Sequence, residues 1–221
     1  GRPDARARHG CAVHTRDRKG FSRMTLDRFY SIFDHPDWLK RLLPLGVRLV
    51  QLRLKNVPQE TLRPMIAAAQ TLCRDAGSVL VVNDHWQAAI DEGCDFIHLG
   101  QEDLDEADLP AIRRAGLRVG VSTHDHAELD RALHLQPDYV ALGPVYPTIL
   151  KKMKWHQQGL ERVTEWKQLI GDTPLVAIGG MSVTRSAGAF AAGADIVSAV
   201  TDITLNSDPE ARVRAWVDAT R

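Results

Sequence analysis

Residues 118–145 read RVGVSTHDHAELDRALHLQPDYVALGPV, and this stretch decides the fold. An apolar run over Arg118–Thr123 gives way to a helical stretch, then a second apolar run follows at Tyr139–Val145. The alternation continues in both directions. Upstream lie Arg28–Asp34, Arg48–Lys55, Ser78–Asp84 and Phe96–Gln101; downstream lie Leu175–Gly180 and Asp195–Asp202. Between runs, Leu62, Met65, Ile66, Ala69 and Leu72 share one helical face, as do Leu160, Val163, Trp166 and Ile170. Val213, Trp216 and Val217 form a last face after Pro209, a residue suited to a helix start. Near-continuous apolar strands spaced by helices imply a parallel sheet covered on both faces. Eight such runs predict an α/β protein with a single (β/α)8 TIM barrel. An open doubly wound sheet would need an edge strand and a switch point, and the sequence marks neither. The sixth and seventh runs start 36 residues apart, against 21 for the fifth and sixth, which predicts an extra loop over Tyr146–Gly159. A long connection on a barrel's active face is often a lid.

The chain has 221 residues and balances 28 basic against 28 acidic side chains. That size buries about 70–75% of the unfolded surface, so the core needs no metal or disulfide staple. Zero net charge argues against a general nucleic-acid binder. The balance is uneven: residues 1–23 carry seven basic and two acidic side chains and lack an apolar period. They are expected to be an extension, disordered in solution, ahead of a barrel domain spanning 24–221. Read instead as an Arg-rich presequence, they lack a clean amphipathic helix. The three cysteines, Cys11, Cys73 and Cys94, show no CxxC spacing, which favours a reducing compartment over a disulfide scaffold or zinc site. No apolar run approaches the ~20 residues of a membrane span, so a cytoplasmic location with no membrane partner is expected.

A barrel gathers its functional groups where strands end. The second run closes Gln51-Leu52-Arg53-Leu54-Lys55, whose period of two puts Gln51, Arg53 and Lys55 on one side. Three polar groups facing a barrel interior are costly unless they meet a ligand, each other, or carboxylates of neighbouring strands. The third run closes Asn83-Asp84, and the fourth runs through His98-Leu99-Gly100 into Gln101-Glu102-Asp103. Adjacent strands lie ~4.8 Å apart, so Asp84 and Asp103 can meet across one rim. Two carboxylates there could hold Mg²⁺ bridging a polyphosphate; as alternatives, each could serve only at a helix start. Ala177-Ile178-Gly179-Gly180 opening a helix, with Val200-Thr201 after the eighth run, offers backbone N–H groups to a phosphate. The fifth run supplies Ser122, Thr123 and His124; Ser122 is the better phosphate ligand, and His124 could be a general acid or base, although a lone loop histidine is more often a surface residue. In the long loop, Lys151, Lys152 and Lys154 beside Trp155 could clamp an anion and a flat ring, or form a solvated segment.

With these strings in order, the sequence resembles the thiamine-phosphate synthase family. The carriers are Gln51-Leu52-Arg53-Leu54-Lys55, Asn83-Asp84, His98-Leu99-Gly100-Gln101-Glu102-Asp103-Leu104, Gly120-Val121-Ser122-Thr123-His124, Gly143-Pro144-Val145-Tyr146-Pro147-Thr148 and Ala177-Ile178-Gly179-Gly180. The resemblance implies coupling of 4-amino-2-methyl-5-hydroxymethylpyrimidine diphosphate with a thiazole phosphate, giving thiamine phosphate and diphosphate. It assigns Gln51, Arg53, Lys55 and Asn83 to the pyrimidine diphosphate, and Asp84 and Asp103 to Mg²⁺. Ser122 and Lys151 would reach the same substrate from the far side. Thr148, Leu150, Gly180, Val200 and Thr201 would receive the thiazole phosphate. Lys55, Arg53, Ser122 and Lys151 would carry the catalysis. The family often reads Pro-Thr-x-Thr-Lys where this chain has Pro147-Thr148-Ile149-Leu150-Lys151, so one hydroxyl is missing. Two other readings are a thiazole tautomerase on the same barrel, which would not need the acidic pair, and a non-catalytic thiamine-phosphate binding protein. The implied partners are small molecules, and a homo-oligomer is compatible with the sequence.

Overall fold

The computed structural model describes residues 25–149 and 156–221. Residues 1–23, Leu150, Lys151, Lys152, Lys154 and Trp155 lie outside the described residues. The strands β1 (Phe29–Phe33), β2 (Leu49–Leu52), β3 (Val79–Asn83), β4 (Phe96–Leu99), β5 (Arg118–Thr123), β6 (Tyr139–Leu142), β7 (Leu175–Ala177) and β8 (Ile196–Ala199) close into a barrel in sequence order. Every neighbouring pair is parallel, and the barrel closes where Tyr30 of β1 meets Ser198 of β8. Around it run α1 (Pro36–Leu42), α2 (Gln59–Ala76), α3 (Trp86–Asp91), α4 (Gln101–Glu106), α5 (Leu109–Arg114), α6 (His126–His134), α7 (Gly159–Ile170), α8 (Val183–Ala192), α9 (Thr201–Thr204) and α10 (Pro209–Ala219).

Two apolar cores follow from strand alternation. Outward-facing Val50, Leu52, Val82, Ile97, Val121 and Leu142 pack under the helices, joined by Ile66, Val163, Trp166 and Trp216 from the expected faces. Tyr30, Leu49, Val81, Phe96, Tyr139, Ala141, Val176 and Ile196 fill the barrel itself. A large inner residue needs a small neighbour. Gly120 on β5 pairs with Tyr139 on β6, and a Cβ at Gly120 would stand 2.0 Å from the Tyr139 ring. One buried polar group on the outer face is satisfied locally: Trp166 donates to Thr123 Oγ1 at 2.9 Å, which donates to the Ala141 carbonyl at 2.8 Å.

Several strands are shorter than the apolar runs. The second run, expected over Arg48–Lys55, gives a strand only to Leu52; the seventh stops at Ala177 and the eighth at Ala199. Beyond these strand ends, Arg53, Lys55, Ile178, Gly179, Gly180, Val200 and Thr201 line the cavity at the barrel mouth. Arg53 keeps one sheet-like bond, from its N–H to Phe33 O at 2.8 Å.

Candidate active site

The C-terminal ends of the strands surround a cavity of about 630 Å³. Gln51, Arg53, Lys55, Asn83, Asp103, Ser122, Thr148, Gly180, Val200 and Thr201 all line it. Asp84 does not line the cavity, but its carboxyl meets that of Asp103, which does. Leu150 and Lys151 lie outside the described residues. Thus the structure converges strand-end residues that are distant in sequence on one mouth.

The acidic pair is built by backbone. Asp84 adopts φ +68°, a left-handed conformation that Asp tolerates better than most residues. Its N–H donates to His98 O at 2.9 Å, tying the end of β3 to β4. His85 next to it hydrogen-bonds Leu54 O at 2.9 Å, which holds the β3 turn against the Arg53–Lys55 segment. Asp103 sits in the first turn of α4 and accepts the Gly100 N–H through Oδ2 at 2.8 Å. Burial raises the Asp84 pKa, and the facing Asp103 charge and hydrogen bond raise it further, against smaller opposing effects of Lys55 and His85. Neither carboxylate is plugged by an Arg or Lys ion pair among the described residues. The helix-start reading therefore holds for Asp103 through one oxygen, whereas Asp84 caps no helix; His85 occupies that position for α3. Two facing oxygen ligands fit Mg²⁺, which takes one or two carboxylates and completes its shell with phosphate and water. No cluster of three or more metal-ligating side chains occurs among the described residues.

Arg53 and Lys55 form no ion pair among the described residues and are exposed at the mouth, so no ladder of strand carboxylates satisfies them there. Two buried polar atoms without partners, Asn83 Nδ2 and Ser198 Oγ, belong to cavity-lining residues. A buried unpaired donor costs about 1–3 kcal/mol, which a ligand can recover.

On the opposite rim, Gly179 and Gly180 have φ +99° and +62°. A Cβ at Gly180 would lie 2.4 Å from the Pro147 carbonyl oxygen, so only glycine allows this turn to pass beneath the loop after β6. Tyr146 N–H donates to Gly179 O at 3.1 Å, and Arg185 donates to Gly180 O at 2.6 Å while lying over the Tyr146 ring at 4.3 Å. The result is a rigid turn ahead of α8, which Ser182 caps.

His124 corrects the sequence expectation of a surface residue. It lines the cavity, and its Nδ1 meets Glu128 Oε1 at 2.7 Å. Sequence reading also passed over Tyr30, Tyr139 and the His98 side chain. They form a buried chain: Gln51 Nε2 to Tyr30 OH (2.8 Å), Tyr30 OH to Tyr139 OH (2.8 Å), Tyr139 OH to His98 Nδ1 (2.6 Å), and His98 Nε2 to Ser122 Oγ (2.7 Å). The signal was available, since a hydroxylated or imidazole side chain at an inward strand position has to find a partner.

These features define a (β/α)8 enzyme with its site at the mouth formed by the strand ends. The chain belongs to the thiamine monophosphate synthase family, whose model matches residues 29–203. It is 59% identical over 197 residues to a thiamine-phosphate synthase of Rhizobium etli, covering 89% of this chain and 97% of that protein. A thiamine-phosphate synthase of Neisseria meningitidis is 42% identical over 189 residues, covering 86% and 92% respectively. The fold is similar to that of thiamine phosphate pyrophosphorylase from Pyrococcus furiosus, with a TM-score of 0.79, 22% identity and coverage of 90% of this chain and 96% of that one.

Proposed function

We propose that this enzyme joins 4-amino-2-methyl-5-hydroxymethylpyrimidine diphosphate to a thiazole phosphate, releasing diphosphate and forming thiamine phosphate. The observation that carries the reading is the Asp84–Asp103 pair, standing at one rim with Lys55 close enough to act on it and, among the described residues, no ion pair closing it off. Asp84 and Asp103 would hold Mg²⁺, which neutralises diphosphate charge when bound. Arg53 and Lys55 bind the diphosphate oxygens from the segment after β2, with Gln51 and Asn83 on the pyrimidine. Ser122 hydrogen-bonds the same substrate from β5. Lys151 joins this set by the family likeness alone. Facing them, Thr148, Gly180, Val200 and Thr201 receive the thiazole phosphate, largely through backbone N–H groups.

The C–O bond to the leaving group breaks with its electron pair departing on diphosphate. The pyrimidine amino group stabilises the carbocation left behind, and the thiazole nitrogen then forms the C–N bond. No covalent nucleophile of the protein is needed. Arg53 and Lys55 contribute by preorganised charge where negative charge develops, and the two rims contribute by alignment. The reaction uses small molecules and requires no membrane; no helix of the described residues is long and apolar enough to cross one. We assign the reaction to the cytoplasm.

Mixing both substrates with Mg²⁺ tests the proposal. Release of diphosphate with matching thiamine phosphate is expected. Tight product binding without turnover would instead mark a binding protein, and proton exchange on the thiazole alone would mark a tautomerase.

A further inference from the structure

The buried chain from Gln51 to Ser122 has a direction. Each link offers one hydrogen for one gap, so the ends decide the rest. Gln51 places its amide Nε2 against Tyr30 OH, and an amide nitrogen only donates. Tyr30 oxygen therefore accepts, and its own hydrogen has Tyr139 OH as its partner. Tyr139 in turn gives its hydrogen to His98 Nδ1. Run the other way, Tyr139 would donate to Tyr30, and the Tyr30 hydrogen would be buried with no acceptor. Both tyrosines are essentially sealed from solvent, so that orphan would cost about 1–3 kcal/mol. A ring nitrogen that accepts a hydrogen bond carries no proton, so an imidazole accepting at Nδ1 is the neutral form. With Nδ1 accepting, the single ring proton sits on Nε2.

We propose that this chain locks His98 as its Nε2–H tautomer, so that His98 donates to Ser122 Oγ and leaves the Ser122 hydroxyl hydrogen free to donate into the cavity. Tyr30, Tyr139 and His98 are thus positioning residues. A serine that receives a hydrogen bond from below presents a donor above, and a donor is what an anionic diphosphate oxygen needs. The reversed chain would spend the Ser122 hydrogen on His98 and turn a lone pair toward the anion. Gly120 belongs to the same device, because only the absence of a Cβ lets the Tyr139 ring cross the barrel at this level. This deepens the coupling reaction proposed above and rests on it for the identity of the anion, but the tautomer is a property of the protein alone.

The test is histidine-selective ¹⁵N NMR on the full chain. In the wild type, the His98 signal should show a protonated Nε2 and an unprotonated Nδ1. In Gln51→Glu, read at a pH where the new carboxylate is ionised, the far end of the chain becomes an acceptor. The tautomer should then invert to Nδ1–H, although residue 51 does not touch His98. A merely structural role for Gln51 would leave the tautomer alone. Tyr139→Phe should weaken binding of pyrimidine diphosphate roughly tenfold and leave the KM for the thiazole phosphate within twofold. An Nδ1–H wild type overturns the proposal, as does a tautomer that the ionised carboxylate of Gln51→Glu leaves unmoved. If the wild type shows Nε2–H but no diphosphate is released on mixing the substrates, the coupling reaction fails and the directed chain stands. Normal turnover with an Nδ1–H wild type would leave the coupling reaction standing and overturn the directed chain.

Discussion

His98 sets burial against protonation. In the fold its pKa lies at about 4, against an ordinary 6.5, chiefly because burial disfavours the charged ring. Below pH 6.5 the unfolded chain takes up a proton that the folded chain refuses. Stability therefore falls as pH drops from about 6.5 to about 4, where the loss levels off at about 3 kcal/mol. Urea unfolding across that window should show this slope in the wild type, and His98→Gln should flatten the part due to this residue. The Asp84 shift has the opposite sense, since the folded state holds its carboxyl proton more tightly. Above the ordinary carboxylate range the paired charges destabilise the fold, and Mg²⁺ bound between them, as proposed, would relieve them. At pH 8, Mg²⁺ should raise the Tm of the wild type by a few degrees. Asp84→Asn should raise the metal-free Tm and remove most of the Mg²⁺ response; an equal response in both proteins would contradict the pairing.

Among the elements, the turn between β7 and α8 forms the rim proposed for the thiazole phosphate. Gly180 cannot bear a side chain, both for its positive φ and for the Pro147 carbonyl 2.4 Å from a would-be Cβ. Gly180→Ala should raise the KM for the thiazole phosphate at least tenfold while moving that for the pyrimidine diphosphate little. Arg185→Ala removes the bond to Gly180 O and the stack on Tyr146, and should raise the same KM about threefold to tenfold. Steady-state kinetics with each substrate varied in turn separates the two rims. Gly120→Ala should cost more in stability than in KM, about 3 kcal/mol or above, because its Cβ would collide with the rigid Tyr139 ring. A stable Gly120→Ala protein would show that the barrel interior can repack.

For the whole molecule, the eight-strand rhythm was legible because parallel strands buried on both faces read as apolar runs separated by helical periods. The runs overshot the strands at Arg53–Lys55, Ile178–Gly180 and Val200–Asp202, since residues that leave the ladder at the mouth still carry the sheet's alternation. That same alternation placed Gln51, Arg53 and Lys55 on one side, and the geometry brings them to one cavity with Asn83, Asp103 and Ser122. What the sequence could not supply was contact across the barrel. Tyr30 and Tyr139 stand 109 residues apart in the chain, yet their hydroxyls meet at 2.8 Å. His124 was misplaced for a related reason, since only the closed barrel turns the end of β5 toward the axis.

In the proposed reaction, catalysis depends on a divalent cation held by the two facing carboxylates in the presence of diphosphate. Mn²⁺ binding followed by electron paramagnetic resonance, with and without pyrimidine diphosphate, tests it most directly. One ion should bind per chain, tightened at least tenfold by the diphosphate, and an Asp84→Ala/Asp103→Ala protein that remains folded should lose both the ion and turnover. Equal Mn²⁺ binding by the double variant, or full turnover without those carboxylates, would contradict it.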